Sequence, residues 1–291
     1  MNATAETAAA GGVESHVMSC DVEDYFQVSA FESLFPRDQW HQIECRIPEN
    51  IDKTLARLEE FDARATFFTL GWVAEQHPSV VRRIIDDGHE LASHGIQQVS
   101  VWTQRPEEFF DDASRSKKLL EDGSGREVRG YRAASWSIDR RTPWAWQELA
   151  RAGDAYSSSV YPVSHDHYGA PNSPTAAYVD DESGVLEIPA STSKFLGRRV
   201  PISGGGYFRL YPLSVSRWFI DREVRRSALP YMFYFHPWEL DPEQPRIEKA
   251  DRKSKFRHYL NLDQFESRWI ALLNDYSWDR MDRLYLDSRS G

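Results

Sequence analysis

The sequence predicts an α/β fold: a single domain built on a parallel sheet that can close into a barrel. Three observations carry that expectation. Apolar strand-like runs alternate with helix-periodic segments through the first half of the chain, the signature of repeated βα units. The strand candidates end in polar or charged residues, where parallel α/β sheets place their chemistry. No fixed-period repeat or low-complexity linker divides the 291 residues, and α/β barrels commonly use about 200–250 residues as one domain.

The elements follow in order. Residues 1–14 begin with the small, polar run MNATAETAAAGG and are expected to be a disordered tail before a domain at 15–291. His16 to Val22 (HVMSCDV) is an apolar strand ending in acidic residues. Asn50 can cap a helix to Glu60, with Ile51, Leu55 and Leu58 at helical spacing. Ala65 to Leu70 (ATFFTL) reads as a buried strand, and Pro78 opens a helix that Gly88 stops. Glu90 to Ser93 is a third strand. Pro106 then starts a helix with an acidic first turn and a basic later half, its core face including Phe109, Phe110 and Leu119. Val128 to Ala133 is a strand and Thr142 to Ala152 a helix. From Tyr156 to Phe208 the chain is rich in proline and glycine, with a short strand at Val185 to Ile188. Regularity returns with a helix from Leu213 to Arg225, a strand from Tyr231 to Phe235 and a last helix from Leu262 to Leu273.

Composition excludes several function classes. Against 45 Asp and Glu stand 35 Lys and Arg, a net charge of −10, and an acidic surface repels phosphate backbones. Nucleic acid is therefore not an expected partner. Basic runs no longer than Arg198-Arg199 or Arg225-Arg226 disfavour a cation-rich membrane surface on the same ground. No stretch reaches the ~18 apolar residues of a membrane span, so no stable membrane insertion is expected. The tail lacks the basic and apolar regions of a secretory signal, and a cytoplasmic protein is expected. Cys20 and Cys45 form no CxxC pair, hence neither a disulfide framework nor a thiolate metal site. The 10 Trp, 13 Tyr and 15 Phe read either as core packing or as walls on which a sugar ring stacks.

Four polar clusters stand at strand ends. In Asp21-Val22-Glu23-Asp24 the first and third side chains share a face while Asp24 points away. Such a pair can divide the work of base and cation ligand, or the cluster can be a solvated acidic turn. In GHELASHG, His89 and His94 face opposite sides of a strand and are not expected to share a metal. GYRAASW sets Arg132 and Trp136 at another strand end, and YFHPWE sets His236 directly after an aromatic strand. His165 and His167 (HDHYG) have metal-like alternate spacing but read as loop residues.

The order of these motifs resembles the polysaccharide deacetylases, the NodB-homology group of carbohydrate esterase family 4, from about Ser19 to Trp278. DVEDYFQV, HELASHG, GYRAASWS, GGGYFRLYP and YFHPWE resemble the branch associated with bacterial exopolysaccharide loci. The resemblance implies a distorted (β/α) barrel of about seven strands. It also implies a metal-dependent hydrolase removing N-acetyl groups from an amino-sugar oligo- or polysaccharide, with a divalent metal, zinc in many relatives, polarising the acetamide carbonyl. Carried over residue by residue, Asp21 is the general base, Arg132 pairs with it and orients it, and His236 protonates the departing amine. Glu23, with Asp24 as alternative, and His94 become metal ligands. Trp136, Tyr207 and Trp238 are candidate walls of the substrate pocket.

One position departs from the pattern. The family's second metal histidine would fall at 98, where this chain has Gln98. An amide oxygen can ligate hard cations but is a poorer zinc donor than imidazole, so a site of Glu23, His94 and Gln98 is expected to hold metal weakly or to favour a harder ion. The sequence therefore supports a second reading, a catalytically impaired relative that binds glycan.

Overall fold

The computed structural model describes residues 14–166 and 168–287. The predicted tail lies almost wholly outside the described residues, as does His167. Strand β1 (His16–Val22) is buried along its whole length and lies second from one edge of a curled, mostly parallel sheet. Around it run β2 (Thr66–Thr69), β3 (Glu90–Ser93), β4 (Gly130–Tyr131), β5 (Tyr156–Ser157), β6 (Tyr178–Val179), β7 (Leu186–Glu187), β10 (Met232–Phe235) and β11 (Trp278–Asp279). The spatial order is β10-β1-β2-β3-β4-β5-β7-β6, with β11 also paired to β1. Every pairing in this sheet is parallel except that of β6 with β7. Strands β8 (Thr192–Phe195) and β9 (Arg198–Pro201) form a separate antiparallel hairpin.

The two-residue period of the strands sorts their side chains between two cores. Met18, Cys20 and Val22 of β1, with Phe67, Leu91, Phe233 and Phe235, face an outer layer of helices. Val17, Phe68, Ala92, Met232 and Tyr234 face inward with Trp136, Tyr156 and Tyr161. Ser19 and Asp21 share the parity of Val17 and therefore also point inside, as their contacts with Arg132 show. The interior is thus packed side chain on side chain, and its upper layer, at the carboxyl ends of the strands, is polar.

The sheet makes a half-barrel. From its far side the chain crosses back toward β10: Ala190 N–H donates to the Val160 carbonyl, and Met232 N–H donates to Ser191 Oγ. Tyr231 and Tyr161 hydroxyls donate to the carbonyls of Ile202 and Ser203. Below, Glu90 accepts from Thr66 Oγ1, the Tyr156 hydroxyl and the backbone of Asp282, closing the amino-terminal end of the barrel.

Helices α1 (Ile47–Glu60), α2 (Gly71–Gln76), α3 (Pro78–Asp86), α4 (Pro106–Ser124) and α5 (Ala145–Arg151) alternate with the first strands. After them come α6 (Gly205–Leu210), α7 (Leu213–Arg226), α8 (Arg252–Tyr259), α9 (Leu262–Asp275) and α10 (Met281–Tyr285). Helix α1 starts three residues before the expected Asn50 cap. Pro48 suits its first turn, the Arg46 N–H is taken by Asp24, and Asn50 lies buried inside the helix. Phe109 is fully buried on α4, whereas Phe110 is only half-buried and carries Arg151 over its ring. Strand β4 is shorter than the expected 128–133 run and the helix after it begins at Ala145 instead of Thr142. Helix α9 is not the last: β11 and α10 follow, and Met281 plugs the inner core. Among the described residues no helix is long and apolar enough to cross a membrane.

Candidate active site

Strand parity brings Asp21, His94, Arg132 and His236 to one end of the barrel. Each stands at or just past the carboxyl end of its strand, on β1, β3, β4 and β10. Arg132 is fully buried, and nearly every donor it carries is used. Its Nη1 donates to Asp21 Oδ1 at 2.6 Å and to Ser19 Oγ at 3.0 Å. Its Nε and Nη2 donate to the carbonyl and hydroxyl of Ser158, both at 3.0 Å. The Phe68 ring lies 4.0 Å and the Trp136 ring 4.7 Å from the guanidinium carbon. Such a cage fixes the direction of the Asp21 carboxylate.

Glu23 follows a tight turn in which its N–H donates to the Asp21 carbonyl. One of its oxygens faces His236 Nε2 at 3.4 Å, and the other accepts from the Gln98 amide. Burial pushes the Glu23 carboxyl up to about 7, against the opposing charge of His236. Behind His236, Glu239 accepts from both the His236 backbone N–H at 3.0 Å and ring Nδ1 at 3.2 Å. Arg209, buried, donates to the other oxygen of Glu239 at 2.8 Å. Burial alone would lower the His236 imidazole, but Glu23 and Glu239 outweigh it and raise it to about 9. The same exchange of charge, with Arg209 the largest favourable part, overcomes burial and holds Glu239 down to about 2. His236 is thus an imidazolium at neutral pH, and with 22 % of its side chain accessible it reaches solvent.

His94 Nδ1 donates to the Arg132 carbonyl at 2.7 Å. A carbonyl can only accept, so the neutral ring keeps its lone pair on Nε2. Burial lowers its pKa, which favours that neutral form. Gln98 holds a left-handed backbone, φ 55°, which turns its side chain to Glu23. Its Oε1 is buried with no hydrogen-bond partner, and 8 % of the residue is exposed.

A tightly held zinc takes about four donors, three or more of them from protein, drawn from thiolate, imidazole and carboxylate. Here Glu23 and His94 supply two of these. Asp24 is committed elsewhere, accepting from the backbone N–H groups of Tyr25 at 2.8 Å and Arg46 at 2.6 Å. At the third position the Gln98 amide proton lies against Glu23, where a cation would have to sit. Among the described residues no three His, Cys, Asp or Glu form a group able to hold a metal. This donor set, as arranged, does not fit the zinc that the motif resemblance implies.

The expected aromatic walls divide. Trp238 is buried with both faces covered, by His236 at 5.1 Å and His258 at 4.1 Å, so it buttresses the histidine and offers no face to a sugar. Trp136 is likewise buried, between Arg132, Tyr161 and Tyr234. Tyr207 is half-buried beside Tyr168 and Tyr211. His89 accepts from Ala65 N–H on the outer side, away from the site. Glu239 and Arg209 escaped the sequence reading, although a carboxylate three residues after a histidine that itself precedes a proline is a capping signal.

Residues 38–153 match the family profile described as polysaccharide deacetylase, and residues 158–286 match one described as a domain of unknown function. A chitooligosaccharide deacetylase from Azorhizobium caulinodans is 36% identical over 83 residues, 28% of this chain and 40% of that protein. A peptidoglycan-N-acetylglucosamine deacetylase from Bacillus cereus is 26% identical over 97 residues, 33% of this chain and 35% of that one. The chain thus spans well under half the length of these curated relatives. A polysaccharide deacetylase-like protein from Mycobacterium smegmatis shares the fold, with TM-score 0.59 and 19% identity over 100% of this chain and 95% of that one.

Proposed function

We propose, from the match of residues 38–153 to the polysaccharide deacetylase profile, that the chain is a hydrolase of carbon–nitrogen bonds other than peptides, removing N-acetyl groups from an amino-sugar oligo- or polysaccharide. One observation carries the reading. Neighbouring strands β1 and β10 present a carboxylate fixed by a buried arginine and an imidazolium fixed by two carboxylates. That is the pair of proton acceptor and proton donor that amide hydrolysis requires. Asp21 takes a proton from the attacking water as its oxygen bonds to the acyl carbon. His236 gives a proton to the amine as the carbon–nitrogen bond breaks, leaving acetate and a free amino sugar. Tyr207, the most accessible of the three expected aromatics, is the wall we assign to the sugar.

The names of the curated relatives support an N-acetylated glycan as substrate, and the DVEDYFQV and YFHPWE motifs support a place in exopolysaccharide assembly. Two unpaired cysteines suit the reducing cytoplasm. Metal dependence would rest on Glu23, His94 and Gln98, and because that set does not fit zinc no step here is placed on an ion. The Gln98–Glu23 contact equally favours the second reading, a glycan-binding protein that has lost turnover.

The test measures acetate release from N-acetylglucosamine oligomers, with chelator and with added Zn²⁺ or Mn²⁺, for wild type, Asp21→Asn and Gln98→His. Wild type should turn over and Asp21→Asn should lose at least about a hundredfold in rate. If wild type is silent under every condition while Gln98→His releases acetate, the impaired reading replaces the enzyme.

A further inference from the structure

We propose that the β8–β9 hairpin and the adjoining face of α7 form a docking surface for an anionic lipid bilayer. The hairpin turns through two residues, Leu196 at φ 48° and Gly197 at φ 78°. Two consecutive left-handed residues make the turn type that normally takes Asn-Gly or Asp-Gly, and a leucine there is strained. Leu196 is also 86 % exposed, the most accessible large apolar side chain among the described residues. The tip therefore carries two separate costs, one of backbone and one of solvation, and neither serves the packing of this chain.

The surface continues from the tip. Phe195 meets Trp218 of α7 edge to face at 5.8 Å, and Trp218 remains 49 % exposed. Exposed Phe, Leu and Trp side by side suit the boundary between headgroups and acyl chains. Cations stand beside them: Arg198 pairs across the hairpin from Phe195, Arg222 lies 5.5 Å from the Trp218 ring, and Lys194 is exposed next to the tip, while Arg225 faces Asp221 and Arg199 is spent on the carbonyls of Pro171 and Ser173. In a chain of net charge −10 this is a local reversal of sign, which the chain-wide arithmetic concealed. Charge decides the occupant. A second copy docked symmetrically would oppose cation to cation, whereas anionic headgroups complement these cations while the tip enters the interface. Strand β9 then leads into Gly204 and Gly205, which lie against Tyr234 and Glu239, so the docked hairpin is continuous with the active-site wall.

The experiment is co-sedimentation of the full chain with phosphatidylcholine vesicles, with and without phosphatidylglycerol. Binding is expected only with phosphatidylglycerol, and should disappear at high salt. Lys194→Glu with Arg198→Glu should weaken it at least about tenfold. Leu196→Asn should weaken it too while raising the thermal midpoint, because asparagine relieves the turn. The proposal is overturned if neither vesicle binds the chain, or if both variants bind like wild type. A concentration-dependent dimer abolished by Leu196→Asn, with no vesicle binding, would overturn it in favour of a second copy.

Discussion

Arg132 shows how one side chain serves both fold and chemistry. The motif resemblance makes Arg132 the partner that orients Asp21, and its full burial and its contacts with Ser19, Asp21 and Ser158 make it also a strut across the barrel. Removing it leaves the Asp21 carboxylate buried without its partner, so Arg132→Ala should cost about 3–5 kcal/mol. Adding Asp21→Asn should recover part of that loss, and urea unfolding of the single and double variants measures the difference. His236 gives a pH prediction. Its folded value of about 9 exceeds the ordinary 6.5. Its contribution to stability is therefore complete below about 6.5 and is lost as pH rises through 9. The rate should fall over the same upper range, and Glu23→Gln, which removes the largest raising influence, should move that break to lower pH in a pH–rate profile.

At the scale of elements, the loop into α6 is shaped by what lies against it. A Cβ on Gly205 would stand 2.1 Å from the Glu239 carboxylate. Gly205→Ala should therefore push Glu239 off His236 and Arg209, destabilise the protein by about 1–3 kcal/mol, and lower the His236 pKa, read by NMR titration. The element boundaries teach the same lesson in reverse. Strand β1 is legible to the residue because its apolar run is continuous and its end is acidic. Helix α1 is misplaced at its start because the signal lies in Asp24, far up the chain, which takes the Arg46 N–H. Local pattern finds an element, and a long-range hydrogen bond sets where it begins.

On the scale of the molecule, two family matches share one sheet. Strand β1 precedes the first match and lies between β2, inside the first, and β10, inside the second. We therefore expect one cooperative domain from residue 15 onward. A fragment ending at Ser157 leaves β1 without β10 and should not fold alone, which circular dichroism and hydrogen exchange of the fragment would test. The α/β class, the parallel sheet and the identity of Asp21, His94, Arg132 and His236 as candidates were determined by the sequence, because strand periodicity and strand-end polarity are local properties of the chain. Tertiary structure alone decided that Asp24 is spent on the backbone N–H groups of Tyr25 and Arg46, that the Gln98 amide proton faces Glu23, that Trp238 is covered on both faces, and that Glu239 and Arg209 hold His236 charged. Each of these depends on which groups meet across the barrel, and burial gives those meetings their electrostatic weight.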